Sequence, residues 1–347
     1  MTTRHGPTGV EPDDRLLHDL VLGHWKLPAL AAAYRVGLLT RLADGPLTTA
    51  EVAVACGTEP LATGSVLELL ASLHLLERWG GRYELTAVTR RYLLPDAPDD
   101  WGPMLRLVWD DRCAAVRDAL LEDAPRGYGR RSLWRVHQEV PRQAEIFTQA
   151  MHAHSAAAAT AFAERAASLG VPARAHVLDV AGGRGTYAIA LARRHPELTA
   201  TVLELGSVCP IASRAVGDAG LDGRITVVEG DMFTTPWPSA DVVLLADVMH
   251  NWSVGRCREL ADRSRKALRP GGRLLVHDML LDDAVPGPAT AAANAVAMAA
   301  TTGGHQFTAT ELAGLLRQAG FGSVSSTPSF GYFSVTTARA AGFEGAP

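Results

Sequence analysis

Three glycines and two acidic residues carry the first chemistry legible in this chain. Gly182, Gly183 and Gly185 close a short β-branched run in the segment His176–Gly185, HVLDVAGGRG, and a helical pattern follows. Lacking a Cβ, they let the turn adopt positive φ and let a ligand approach the backbone. Asp179, inside the strand, and Glu204, at the end of the next predicted strand (Ala200 to Leu205), place carboxylates beside that turn. Carboxylates there suit hydroxyls and amines, so the spacing predicts a nucleotide-type cofactor pocket. Gly183, Gly185 and Ala188 also satisfy a dinucleotide fingerprint, with an acid near the ~20-residue offset it asks for. The loop by itself therefore leaves a nicotinamide cofactor open.

The frame that must position these groups is read from the rest of the chain. At 347 residues, two domains of about 150 residues each are the default. A net charge of −4 argues against a nucleic-acid partner bound through phosphate neutralisation. Cys56, Cys113, Cys209 and Cys257 form no C-x-x-C pair, so neither a zinc site nor a compact disulfide framework is expected. The polar segment Met1 to Asp14 lacks the apolar stretch of a signal peptide, and no run of about 20 apolar residues occurs. A cytoplasmic protein with no membrane partner is expected.

Apolar residues recur at helical spacing from Leu16 to Leu42, stopped by Asp44-Gly45-Pro46. A short helix opening at Leu47 to Glu51, a second from Thr63 to Leu75 and a hairpin over Arg78 to Thr86 make a winged-helix pattern. The proline-rich stretch Pro95 to Pro103 reads as a boundary, followed by helices between Leu105 and Leu121 and from Pro141 to Leu169. The predicted division is a winged-helix domain over 1–100, a helical bridge over 101–170 and a cofactor-binding domain over 171–347. In the last, strands at Ile225–Glu229, Asp241–Ala246 and Arg273–Asp278 alternate with helices, the pattern of a doubly wound α/β sheet. Ser323–Ser326 and Tyr332–Ala338 are separated by too few residues for a parallel crossover, so the sheet should end in an antiparallel hairpin. That ending favours a methyltransferase sheet over a dehydrogenase sheet.

Gly230-Asp231-Met232-Phe233, His250-Asn251-Trp252 and Leu268-Arg269-Pro270-Gly271-Gly272 follow the glycine turn in order. With them the chain, from about Leu16 to Ala338, resembles the plant caffeate-type and bacterial polyketide O-methyltransferase family. The resemblance implies a homodimer interlocked through the N-terminal helices. It also implies S-adenosylmethionine at the carboxyl ends of the strands, leaving as S-adenosylhomocysteine, and a small aromatic acceptor between the domains. In that family the loop at Asp179 to Gly185 holds the methionine portion, the acid at Glu204 binds the ribose, and Asp231 and Met232 contact the adenine, beside Gly230, Phe233 and Trp252.

The resemblance further implies a metal-free reaction with His250 as general base. A neutral phenol is a poor nucleophile, and its proton must leave as the O–C bond forms. Complete prior ionisation by an ordinary imidazole would cost about 5 kcal/mol, so the proton should move late. Two glutamates flank the histidine in plant members; Asp278 and Gln306 stand at the matching positions. Asp278 can hold the imidazole tautomer, whereas a neutral Gln306 cannot stabilise an imidazolium as a carboxylate would. Ala181 replaces the first glycine of the family loop, tolerable if it keeps φ < 0, and Ala246 replaces a lysine.

Phe147 and Met151 match acceptor-lining positions of the family, as do Asn294, Ala297 and Met298 in the alanine-rich run Ala289 to Thr302. Small side chains there leave room for a bulky, polyketide-derived phenol. Trp109, Arg106 and Trp134 are further candidates. Relatives of this architecture that methylate nitrogen, or are diverted to hydroxylation or decarboxylation, stand as alternatives, as do a nicotinamide-dependent dehydrogenase and a nucleotide-sensing winged-helix regulator. Against the last, the segment Thr63 to Leu75 carries Glu68 and His74 but no Arg or Lys with which to read DNA.

Overall fold

The computed structural model describes residues 13–95, 97, 99–122 and 132–340. The polar segment before Asp13, and Asp96 and Pro98 of the expected boundary, lie outside them. The N-terminal part contains α1 (Arg15–Gly23), α2 (Lys26–Arg35), α3 (Leu38–Leu42), β1 (Leu47–Thr48), α4 (Thr49–Cys56), α5 (Pro60–Ser72), β2 (Leu76–Trp79), β3 (Arg82–Leu85) and α6 (Ala87–Tyr92). The sequence expectation of helical continuity from Leu16 to Leu42 gives way to three helices. One break falls at His24 and Trp25. The other falls at Gly37, whose φ of +82° reverses the chain. Hydrophobic spacing alone cannot register such breaks, because apolar residues continue across them whether buried, as in α2, or exposed, as in α1.

Helix α4 starts on a capping box: Glu51 N–H donates to Thr48 Oγ1 (3.3 Å) and Thr48 N–H to Glu51 Oε2 (2.7 Å). Helix α5, β2 and β3 form the winged-helix unit, with β1 antiparallel to β3 on the far edge. The face of α5 that a DNA-binding protein would present is buried: Val66, Leu67, Leu69 and Leu70 pack with Ala292, Ala293 and Val296 in one core. Glu68, also buried, takes Arg78 Nη1 at 3.0 Å and the Gly287 N–H at 2.9 Å. Glu68 thus ties the wing strand β2 to the chain at Gly287.

Bridging helices α7 (Gly102–Leu107), α8 (Asp111–Leu121), α9 (Leu133–Glu139) and α10 (Pro141–Arg165) follow. The α/β part comprises β4 (His176–Val180), α11 (Thr186–Arg194), β5 (Thr199–Glu204), α12 (Cys209–Asp218), β6 (Ile225–Glu229), β7 (Ala240–Ala246), α13 (Val254–Ala267), β8 (Leu268–Met279), α14 (Ala289–Thr301), α15 (Ala309–Gln318), β9 (Phe321–Pro328) and β10 (Phe333–Ala340). The sheet order is β6-β5-β4-β7-β8-β10-β9, parallel through β8. As expected, β9 and β10 are antiparallel; β10 inserts beside β8, pairing Ser334 with Asp278. Strands buried on both faces, such as Val177, Leu178, Val180 and Val242 to Leu245, explain the continuous apolar runs. Order reverses between β4 and β7, and in such sheets ligands bind at the carboxyl ends beside that switch.

Candidate active site

The turn after β4 occupies the switch point. Ala181, Gly183 and Gly185 all have positive φ, +53°, +58° and +80°. The condition set for Ala181 in place of glycine, φ < 0, is therefore not met. Its N–H donates to the Leu203 carbonyl at 2.8 Å, which holds a left-handed residue that costs roughly 1–2 kcal/mol in a residue with a Cβ. At Gly182 the constraint is space: a Cβ there would stand 2.6 Å from the Asp179 carboxyl carbon. Gly185 caps α11 and shapes the turn, while Gly182 and Gly183 face the cavity.

Both Asp179 carboxylate oxygens are buried without a hydrogen-bond partner. Burial pushes the Asp179 carboxyl up to about 7, and nearby Glu204 adds to the effect. Burial likewise pushes Glu204 up to about 7, although it accepts hydrogen bonds from the N–H groups of Leu205 and of Gly183, the latter at 3.3 Å. Two buried acids with so little local compensation fit a ligand that supplies hydroxyl and ammonium donors.

Beyond Glu204, Gly230, Asp231, Met232 and Phe233 line the same cavity. Asp231 Oδ1 accepts the Phe233 N–H at 2.7 Å, which fixes the loop. Trp252 meets Phe233 edge-on at 4.7 Å and stacks on Trp134 at 5.8 Å. These side chains offer aromatic faces and a carboxylate, an acceptor-and-stacking set suited to the amino group and ring of a purine.

His250 sits in a 3-10 turn, Met249–Asn251, after β7. Its Nδ1 lies 2.7 Å from Asp278 Oδ1, near the end of β8. Asp278 Oδ1 also accepts the Met279 N–H at 2.8 Å. Both residues line the cavity and are mostly buried. Burial opposes a charge on His250, but Asp278 and then Asp247 outweigh it and hold the imidazole above its ordinary pKa. With Nδ1–H given to the carboxylate, Nε2 is the free basic nitrogen. Asp247, His250 and Asp278 each bring one ligand atom within 4.8 Å of the others, close enough to hold a metal ion.

The cavity, about 500 Å³, extends from the glycine turn to α1, α9, α10 and α14. Phe147, Met151, Asn294, Ala297, Met298 and Trp134 all line it. Trp109 and Arg106 do not, contrary to expectation. Trp109 lies under the Arg35 and Arg117 guanidiniums, 4.5 and 5.8 Å from its ring, and Arg106 is exposed on α7. Gln306 is buried and does not line the cavity: its Nε2 donates to the Met279 carbonyl, and its Oε1 accepts Asn294 Nδ2 at 2.8 Å. Residues the sequence reading missed include His18 and Trp25 from the N-terminal helices, Asp247, and Gly304, which presses on the backbone of His250. His154 of α10 also lines the cavity.

A family model described as the O-methyltransferase domain matches residues 109–322, and one described as the O-methyltransferase dimerisation domain matches 18–95. The chain belongs to the O-methyltransferase family. It is an S-adenosylmethionine-dependent enzyme of that family. It is 34% identical over 318 residues to a 3-hydroxy-5-methyl-1-naphthoate 3-O-methyltransferase of Streptomyces sahachiroi, covering 89% of this chain and 90% of that one. Among solved structures, it is similar to an O-methyltransferase family 2 protein from Planctomyces limnophilus in complex with apigenin, with a TM-score of 0.83 and 25% identity over 97% and 98% of the two chains. Human N-acetylserotonin methyltransferase in complex with S-adenosylmethionine matches with a TM-score of 0.56 and 26% identity, covering 96% of this chain and 99% of that one.

Proposed function

We propose that this enzyme methylates a phenolic hydroxyl of a bulky, polyketide-type aromatic, with His250 as general base and without a metal, as a homodimer. The observation that carries this reading is the 2.7 Å His250–Asp278 pair on the wall of a cavity that continues to the glycine turn. The naphthoate substrate named for the Streptomyces sahachiroi relative and the apigenin bound to the Planctomyces limnophilus protein are both aromatic and support the acceptor class.

When bound, S-adenosylmethionine supplies an electrophilic sulfonium methyl. Asp179 and Glu204 would hold its ammonium and ribose hydroxyls, and Asp231, Met232, Phe233 and Trp252 would hold the adenine. The bridging helices contribute Phe147 and Met151 to the acceptor wall, opposite Asn294, Ala297 and Met298. His250 accepts the phenol proton at Nε2 as the O–C bond forms. Asp278 fixes the tautomer and stabilises the imidazolium. Because Asp278 raises the basicity of His250, the gap to a phenol of pKa near 10 is narrower than for a free imidazole.

The test is His250→Ala with methyl-labelled cofactor and a panel of naphthols and flavonoids. Turnover should fall by about 10²–10⁴ while S-adenosylhomocysteine affinity is kept, and a chelator should not slow the parent enzyme. Unchanged turnover in the variant removes His250 from its role. Label recovered on nitrogen or carbon, with none on oxygen, overturns the reaction assignment.

A further inference from the structure

The acceptor cavity holds a second pair of polar side chains that the proposed reaction does not use. Asp247 follows β7 at a positive φ of +56°, an uncommon conformation for a residue with a Cβ. Its backbone is fixed there, since its N–H donates to the His277 carbonyl at 2.9 Å. Its side chain lines the cavity, yet Oδ2 is buried with no hydrogen-bond partner. The nearest cation is His154 of α10, whose Nε2 lies 3.9 Å from that oxygen. That distance is an ion pair's and too long for a hydrogen bond.

His154 is itself held from behind. Its Nδ1 lies 3.1 Å from Nε2 of His18, and Nδ1 of His18 lies 3.2 Å from the Asp14 carbonyl. The Phe333 ring stands edge-on to both imidazoles. Burial opposes a charge on His154, but Asp247 outweighs it and holds its pKa above the ordinary value. The result is a fixed N–H donor and a fixed carboxylate acceptor with a gap between them. They stand beside His250, whose ligating atom is within 4.8 Å of that of Asp247.

We infer that His154 and Asp247 form an anchor for a second hydroxyl of the acceptor, on the carbon next to the one whose oxygen is methylated. This rests on the aromatic-acceptor reading above. A hydroxyl is the group that uses both partners, donating to Asp247 while accepting from His154; an ether oxygen can only accept. Neighbouring ring oxygens are separated by about a hydrogen-bond length, roughly 2.7 Å, so one reaches His250 while the other fills the gap. Asp247 and His154 are positioning residues here, and their effect is on which acceptor binds and in which orientation.

The experiment uses the full-length enzyme saturated with S-adenosylhomocysteine. The acceptor probes are 1,2-dihydroxynaphthalene and 1-methoxy-2-naphthol, followed by titration calorimetry. The diol should bind about 10- to 100-fold tighter, the range for a hydrogen bond to a charged group. Asp247→Ala should bring the two within about twofold, Asp247→Asn should restore part of the preference, and His154→Gln should weaken it. Retained S-adenosylhomocysteine affinity shows that the variants are folded. Equal binding of both probes to the parent enzyme overturns the anchor while leaving the proposed function intact. An Asp247→Ala enzyme that loses cofactor affinity and keeps the diol preference also overturns it, assigning Asp247 to the cofactor. Binding of neither probe overturns the aromatic-acceptor reading, and the anchor with it.

Discussion

The carbonyl oxygen of His250 lies 1.9 Å from where a Cβ on Gly304 would stand, and the Asn251 carbonyl carbon lies 2.7 Å from it. The loop after α14 thus presses directly on the turn that carries the imidazole. Gly304→Ala must push that turn away, because backbone rather than a flexible side chain is in the path. Turnover should fall about 10²-fold, the cost of roughly 1 Å of misplacement, with S-adenosylhomocysteine affinity unchanged. Steady-state kinetics beside calorimetry check this; a fully active variant would mean that His250 tolerates displacement.

Asp278→Asn should alter a pH profile as well as a rate. In the parent enzyme Asp278 helps hold the His250 pKa above its ordinary value, and only neutral His250 can take a proton. The limb of kcat/KM that rises with pH should therefore lie above the usual imidazole range. Replacing the carboxylate with an amide should move that limb to lower pH. It should also lower the plateau by about 10²–10⁴, as the imidazolium loses its stabilising charge. A limb that stays in place would separate the titration from the pair.

Asp179 and Glu204 make cofactor binding depend on pH. Both carry pKa values raised to about 7 when the site is free, and a ligand offering ammonium and hydroxyl donors binds their charged forms. Binding then lowers both pKa values and releases protons. Affinity for S-adenosylmethionine should rise with pH up to about 7 and level off above it. Without ligand the sign reverses for stability: the folded pair holds protons that the unfolded chain, with pKa values near 4, gives up. The apoprotein should lose stability as pH rises from about 4 to about 7. Calorimetry in buffers of different ionisation enthalpy, with Asp179→Asn as control, reads the first effect, and thermal melts read the second.

Helix α1 bares Leu16, Leu17, Leu20 and Val21, each 63–69% exposed. A stripe of that size on a matched dimerisation domain is the expected subunit contact. In sedimentation equilibrium the parent enzyme should run as the proposed dimer and Leu20→Glu as a monomer. An unchanged mass would move the interface elsewhere.

Much of the catalytic half was legible before any coordinates, because its signals are local. Glycines after a β-branched run mark the turn, and the short gap between the last two strands dictates the antiparallel ending seen in β9 and β10. What escaped depends on contacts between distant segments. Ala181 adopts positive φ because Leu203 holds its N–H, and nothing within the turn announces that. Gln306 occupies an expected position, yet its amide is consumed by Asn294 and the Met279 carbonyl. Trp109 reads as an aromatic wall residue until Arg35 and Arg117 are seen to cover it. His18, His154 and Asp247 come from three separate elements, so no spacing rule could gather them.

Helix α1 sends His18 and Leu22 to the cavity from one side and bares its leucines on the other. A substitution that reshapes the reaction chamber from this helix therefore also touches the surface on which two copies would meet. On the proposed readings, acceptor preference and self-association would draw on one short stretch of chain, so a change made for one would bear on the other.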